Sequence, residues 1–245
     1  MKTIVITGAQ QGIGLGIAEH FAKLNWNVVI NDKNNREKLN NVAKYLEQKY
    51  KIEVLACFGD VSKESFVNDF CKAVYQKFKS VDVVVNNAAI VTDMDLIKRS
   101  EQIFNQTLIN NTTSVFLMSK IFGKKMKDNK SGCVINISST NADRTIFPTS
   151  IDYDASKAAI NSLTRNFAIE LAPFVRVNAI MPGWVLTEMN AQLDKKFLES
   201  ERKKILLNKF QTTTEIAAVV EFLSSDSASA ITGALIPVDG GLNVR

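Results

Sequence analysis

Tyr153 and Lys157 stand four residues apart in Tyr153-Asp154-Ala155-Ser156-Lys157, one helical turn, so a phenol and an ammonium share a face. A free phenol titrates near 10, and bringing it to neutrality costs about 4 kcal/mol that its surroundings must supply. A nearby positive charge favours the phenolate, so such a pair can give and take a proton near pH 7. The same spacing also occurs on ordinary helix surfaces as a solvated pair. What draws attention to this phenol is the shortage of histidine, since His20 is the only one in 245 residues. A Ser-His-Asp triad needs a histidine beside its serine, and zinc enzymes commonly use two or three. Neither fits, no metal site is expected, and His20, among Ile17, Ala18 and Phe21, is expected at an exposed or edge position outside any proton transfer.

A second constellation lies near the start. The apolar run Thr3 to Thr7 leads into Thr7-Gly8-Ala9-Gln10-Gln11-Gly12-Ile13-Gly14, and an amphipathic stretch follows. Glycines permit positive φ and let backbone N–H groups approach a phosphate at a helix N-terminus. Asp32 comes eighteen residues after Gly14, at the end of the next apolar run. There a carboxylate accepts hydrogen bonds from adenosine ribose hydroxyls, whereas a 2′-phosphate would meet like charge. Strand, glycine loop, helix and acid in that order read as a dinucleotide site that favours NAD. Lys33 leaves NADP possible, with a solvated side chain as the plainer reading, and Gln10 and Gln11 place no cation in the loop.

These residues need a frame. Apolar runs at Thr3 to Thr7, Asn27 to Asn31, Glu53 to Phe58, Val81 to Val85, Cys133 to Ser138, Val175 to Met181 and Ala234 to Val238 alternate with helix-period segments at roughly 13–25, 35–50, 63–79, 97–127, 153–172 and 213–224. Continuous Val/Ile runs separated by helices are what a parallel sheet covered on both faces requires. The expectation is an α/β, doubly wound Rossmann fold, a seven-stranded parallel sheet flanked by helices, in a single domain over 1–245. The lysine-rich excursion at about 187–210 is expected to act as a substrate lid. A hydrophobic content of 46% excludes general disorder. Thirty basic against twenty-five acidic residues give +5, a mild excess spread along the chain that supports no nucleic-acid partner. Cys57, Cys71 and Cys133 lack Cys-x-x-Cys spacing and read as reduced, partly buried thiols. No run approaches the length of a membrane span, Met1 to Thr7 already reads as a strand, and a cytoplasmic protein is expected.

The glycine spacing resembles the T-G-x-x-x-G-x-G signature of the short-chain dehydrogenase/reductase family. Asp60-Val61, Asn86-Asn87-Ala88-Ala89, Ser139, the Tyr153 to Lys157 pentapeptide, Pro182-Gly183-Trp184-Val185-Leu186-Thr187, Thr232-Gly233 and Asp239-Gly240-Gly241 follow in the family's order over essentially the whole chain. The resemblance implies hydride transfer between a secondary alcohol or ketone and a nicotinamide cofactor. It implies Tyr153 as acid/base, Lys157 as its activator and a grip on the nicotinamide ribose, and Ser139 as donor to the substrate oxygen. Asn111, preferred to Asn110 by the Ser-Val-Phe that follows, would position a water in the proton relay, and Ser139 is preferred to Ser138 because it follows the strand. Gly8, Gln11, Gly12, Ile13 and Gly14 would carry the pyrophosphate, Asp60 and Val61 would bracket adenine, and Asn87 would contact the adenosine side. Val185 and Thr187 would meet the carboxamide. Ala89 replaces the family's usual glycine, and the Ser139 to Tyr153 interval is one residue longer than the resemblance leads one to expect.

The same resemblance implies a homotetramer formed through the Tyr153 helix and the last strand, and that helix carries an apolar stripe wider than one sheet-facing face needs. A 3-oxoacyl-[acyl-carrier-protein] reductase preferring NADPH is the alternative, with the basic run Lys124 to Lys130 as a carrier-protein dock; helix-dipole complementation is that run's plainer role. A dinucleotide-sensing binding protein is the alternative outside enzymes, and intact Ser139, Tyr153 and Lys157 argue against it. Asp93, Asp95 and Glu101 are expected to be a solvated acidic loop, and Trp184 either stacks on the nicotinamide or simply packs.

Overall fold

The computed structural model describes residues 1–188 and 193–244. The Val/Ile runs form seven strands: β1 (Thr3–Thr7), β2 (Asn27–Asp32), β3 (Val54–Phe58), β4 (Val83–Asn86), β5 (Gly132–Ile137), β6 (Val175–Pro182) and β7 (Leu235–Val238). All pair in parallel, in the order β3-β2-β1-β4-β5-β6-β7. The order reverses at β1 and β4, and the carboxyl ends flanking that switch point form the crevice where such sheets hold ligands.

Alternation along each strand feeds two cores. Ile4, Ile6, Val28, Ile30, Val83 and Val85 face one side, with Ile17 and Phe21 of α1 (Gly12–Lys23), Leu39 and Leu46 of α2 (Arg36–Tyr50) and Val220 and Leu223 of α8 (Thr213–Ser224). Val5, Val29, Val84 and Val134 face the other, with Phe70 and Val74 of α3 (Glu64–Phe78), Phe122 and Met126 of α5 (Ser114–Asp128) and Leu171 of α6 (Ile151–Leu171). The period of two in a strand requires this division, and helices on both faces follow from it.

The helix expected over 97–127 is broken. A short turn at Leu96–Lys98 precedes α4 (Glu101–Leu108), a π-helical turn occupies Ile109–Thr113, and α5 begins at Ser114. Ser100 causes the late start, its side chain accepting a hydrogen bond from Ile103 N as an N-cap. The excursion expected as a lid contains α7 (Lys195–Lys204), capped by Asp194. Met189, Asn190, Ala191 and Gln192 of that excursion lie outside the described residues. Among those described, no helix is long and apolar enough to cross a membrane, and no group of three or more His, Cys, Asp or Glu could hold a metal ion.

His20 lies on α1, with Nε2 2.6 Å from Glu221 Oε2 of α8. Both side chains are partly exposed, so the contact contributes about 1 kcal/mol or less. His20→Gln is accordingly expected to leave turnover within twofold of wild type. A large fall in kcat with an unchanged melting curve would contradict a mechanism that omits histidine.

Candidate active site

Along the carboxyl ends of the strands runs a cleft of about 800 Å3. It is lined by Gly8, Gln11, Gly12, Ile13, Asp32, Asp60, Val61, Asn87, Ser139, Tyr153, Lys157, Val185 and Thr187. Of the catalytic and cofactor-binding residues expected from the sequence, only Gly14 and Asn111 do not border it. Each stands behind one that does.

The phosphate loop is tight for steric reasons. Gly8 and Gly12 have φ of +65° and +59°, where L side chains are strained. A Cβ on Gly8 would lie 2.8 Å from Ala88 Cα, and one on Gly14 would lie 2.4 Å from Gly8 O. At Gly12 the only neighbour within contact range among the described residues would be Thr187 Cγ2 at 3.7 Å, so a Cβ there would meet little. A backbone cradle opening at the start of α1 is the shape and polarity a pyrophosphate needs. Thr7, a site residue that its motif alone did not reveal, braces this loop. Its Oγ1 accepts from Asn87 N and Ala88 N, both at 3.0 Å. Asn87 Nδ2 donates to Thr7 O at 2.9 Å and Gly8 O at 3.0 Å, so the amide expected to contact adenosine holds the loop from beneath.

At the adenosine end, Asp32 Oδ1 accepts from Lys33 N at 2.8 Å and Asn34 N at 3.0 Å, which fixes the carboxylate at the end of β2. Lys33 is not the solvated side chain that was its plainer reading. Its Nζ donates to Asp60 Oδ2 at 3.2 Å and to Asn110 Oδ1, bridging the ends of β2 and β3 to the π-helical turn. Burial pushes the Asp60 carboxyl up, but hydrogen bonds from Ser62 and Lys33 more than offset this and hold it below the usual range. No spacing rule finds a bridge between residues 33, 60 and 110.

Tyr153 and Lys157 sit in the first turns of α6, and Ser139 follows β5. Ser139 Oγ accepts from Asn141 N and donates to Asn141 Oδ1, both at 3.2 Å. Ser138 turns away, its Oγ donating to Asn161 Oδ1 at 2.8 Å and Lys157 O at 3.2 Å, so of the two serines it is Ser139 whose hydroxyl is kept beside the phenol. Lys157 Nζ donates to Ile137 O at 2.7 Å and lies 5.3 Å from the centre of the Tyr153 ring. Burial pushes the Lys157 ammonium down to about 7. Burial also pushes the Tyr153 phenol up to about 12; the Ser139 hydroxyl lowers it and the Asp154 carboxylate raises it further. Desolvation thus penalises both charged forms, and burial opposes the pull of the Lys157 ammonium on the phenol.

Asn111 is fully buried in the π-helical turn. Its Oδ1 accepts from Ile90 N at 2.8 Å, and its Nδ2 donates to Ile90 O at 2.9 Å and Ser156 Oγ at 3.0 Å. The side chain thus ties the loop after β4 to α6. A π-turn displaces main-chain carbonyls from the regular ladder, and such turns are frequent at functional sites. Ala89 borders the cleft. Trp184 lines it within an aromatic group, its ring centre 6.2 Å from Phe147, 5.8 Å from Phe197 of α7 and 6.2 Å from Phe210. It therefore joins the root of the excursion to its helix. Cys71 and Cys133 are buried and Cys57 partly so; all are free, and burial raises each thiol, which suits none of them to nucleophilic work.

Similarity to known proteins runs over nearly the whole chain. Residues 8–243 match the family model described as enoyl-(acyl carrier protein) reductase. The 3-oxoacyl-[acyl-carrier-protein] reductase FabG of Staphylococcus epidermidis is 34% identical over 242 residues, covering 98% of both chains. The protein of the same name from Aquifex aeolicus is 33% identical, covering 98% of this chain and 97% of its own. The crystal structure of a putative short-chain alcohol dehydrogenase from Sinorhizobium meliloti 1021 superposes with a TM-score of 0.93 at 30% identity, covering 100% of this chain and 97% of the other.

Proposed function

Since the chain belongs to the short-chain dehydrogenase/reductase family and is an oxidoreductase acting on CH–OH groups, we propose that it interconverts a secondary alcohol and a ketone with NAD(H). The observation that carries this reading is the meeting of Ser139, Tyr153 and Lys157 in one cleft with the glycine loop and Asp32. Oxidised nicotinamide would accept hydride from the carbinol carbon and, being positive, would favour the phenolate of Tyr153.

The chain's own groups do the rest. Ser139 exchanges its bond to Asn141 Oδ1 for one to the substrate oxygen, while Asn141 N keeps donating to Ser139 Oγ and leaves that hydroxyl a better donor. Tyr153 takes the alcohol proton during oxidation and returns it during reduction. Lys157 holds the ribose and, as ammonium, favours the phenolate. Asn111 fixes the turn against Ser156, one residue before Lys157, and so orders the relay. Gly8, Gln11, Gly12 and Ile13 would carry the pyrophosphate over Gly14, Asp60 and Val61 the adenine, and Val185 and Thr187 the carboxamide. The excursion bearing α7 acts as the lid, and the single domain assembles as a homotetramer. Ala155, Ala158 and Ile169 of α6 remain exposed and suit such an interface.

NAD is preferred because the fixed Asp32 carboxylate opposes a 2′-phosphate and because Asp60 and Asn110 already engage the Lys33 ammonium. NADH is expected to bind about tenfold or more tightly than NADPH, a difference on the order of 1.4 kcal/mol, and Asp32→Ser should narrow the ratio. Fluorescence titration reads both constants, and tighter NADPH binding by the wild type would end this reading. The second reading, a 3-oxoacyl-[acyl-carrier-protein] reductase, draws on the relatives that bear that name. In the basic run, Lys124 pairs with Asp128 and Lys127 with Glu170, which reduces its charge as a carrier-protein dock. Turnover of acetoacetyl thioester against simple ketones, with each nucleotide, separates the two readings.

A further inference from the structure

The residue preceding Tyr153 is a buried carboxylate that the reaction does not use. Asp152 is fully buried, and its Oδ2 lies 2.6 Å from Nη1 of Arg99, whose side chain is 2% exposed. Asp152 Oδ2 also accepts from Thr107 Oγ1 of α4 at 2.6 Å, and Asp152 Oδ1 accepts from Tyr153 N at 3.0 Å. Arg99 Nη2 donates to Thr92 O at 2.8 Å and Thr149 O at 2.5 Å. Neither its Nε nor its Nη1 makes a hydrogen bond among the described residues, so the contact with Asp152 is an ion pair without hydrogen-bond geometry. Burying an ion pair costs desolvation that its attraction often fails to recover, and an incompletely bonded guanidinium adds to that cost. Stability alone is therefore a poor reason for this pair.

Its position gives a better one. Val91 and Asp93 line one wall of the cleft's substrate end, and Thr149 and Ser150 line another. The guanidinium holds the carbonyls of Thr92 and Thr149, joining those walls, and through Asp152 it holds the amide of Tyr153. We propose that Arg99 is a positioning residue, setting Tyr153 at a fixed distance from the substrate-side walls through Asp152. The inference rests on the reading of Tyr153 as acid/base. Misplacement of a reacting group by about 1 Å costs on the order of a hundredfold in rate.

The test uses Arg99→Met, Asp152→Asn and the double variant Arg99→Met/Asp152→Leu, assayed on the ketone that the wild type reduces fastest. Each single variant should lose about 10- to 100-fold in kcat while NADH affinity stays within twofold. The double variant removes both buried charges and should recover the melting temperature without recovering kcat, because Tyr153 N and the two carbonyls still lack their partners. Arg99→Lys, which keeps the charge but cannot bridge both carbonyls, should stay impaired. A double variant with kcat within threefold of wild type would overturn the proposal. Amide exchange over 149–157 gives a readout that needs no substrate: it should rise at least tenfold in Arg99→Met, and unchanged exchange would also overturn the proposal. A wild type that binds neither NADH nor NADPH would instead refute the proposed NAD(H) reaction at Tyr153 and leave the exchange result to decide the role of Arg99.

Discussion

Tyr153→Phe is expected to lower kcat by about a hundred- to ten-thousandfold, the range that general acid/base catalysis supplies, while NADH binding stays near wild type. The substitution removes one oxygen from a ring that borders the cleft and leaves the Lys157 contact with Ile137 O in place. The hydroxyl's partner is the Ser139 hydroxyl at the cleft wall, so the melting temperature should move by a few degrees at most. Burial raises the phenol to about 12, with the Asp154 carboxylate adding to the rise. Ketone reduction needs the protonated phenol and should therefore hold its rate across neutral pH. Alcohol oxidation needs the phenolate and should gain rate as pH rises through the same range. A Phe variant with kcat within tenfold of wild type would remove Tyr153 from the chemistry.

Lys157→Met should give the opposite sign in two assays. Turnover should fall at least a hundredfold, because a buried cation beside the phenol and the ribose is lost. Stability should rise. Burial lowers Lys157 from its ordinary 10.5 to about 7, so between those values the unfolded chain holds a proton that the folded chain has released. Folding is then penalised fully below pH 7, by a few kcal/mol, and the penalty fades as pH climbs towards 10.5. The variant should melt several degrees above wild type at pH 6, less the cost of leaving Ile137 O unpaired, and the gap should narrow by pH 10. Calorimetry at the two pH values checks this, and a variant that melts below wild type at pH 6 would refute the argument.

Much of the frame was legible because it repeats. Val/Ile runs mark strands buried on both faces, and Gly8, Asp32 and Ser139 fall at or just beyond the carboxyl ends of β1, β2 and β5, with Tyr153 on the helix that follows β5. The unread part depends on single events. Ser100 caps a helix and shortens the expected segment 97–127, and the π-turn at Ile109–Thr113 adds a residue per turn without altering apolar periodicity. Lys33 meets Asp60 and Asn110, and Arg99 meets Asp152, across separations that no local pattern encodes. The pKa values were unread for a similar reason. Spacing places Lys157 near Tyr153, but only the packed structure shows that desolvation acts on both.

The brace between Thr7 and Asn87 also bears on how the protein comes into being. Residues 80 apart hold the phosphate loop from two strands that lie side by side, although β2 and β3 intervene in the chain. A ribosome that has released only the first 80 residues has made every glycine of the loop and the β2 edge beside it, but not the Asn87 side of its brace. Parallel pairing of β1 with β4 must wait for that long closure, which is slow because its entropy is lost before its contacts form. Nucleotide capture is therefore a late event in the maturation of the chain, coupled to assembly of the sheet's centre rather than to synthesis of the motif that announces it.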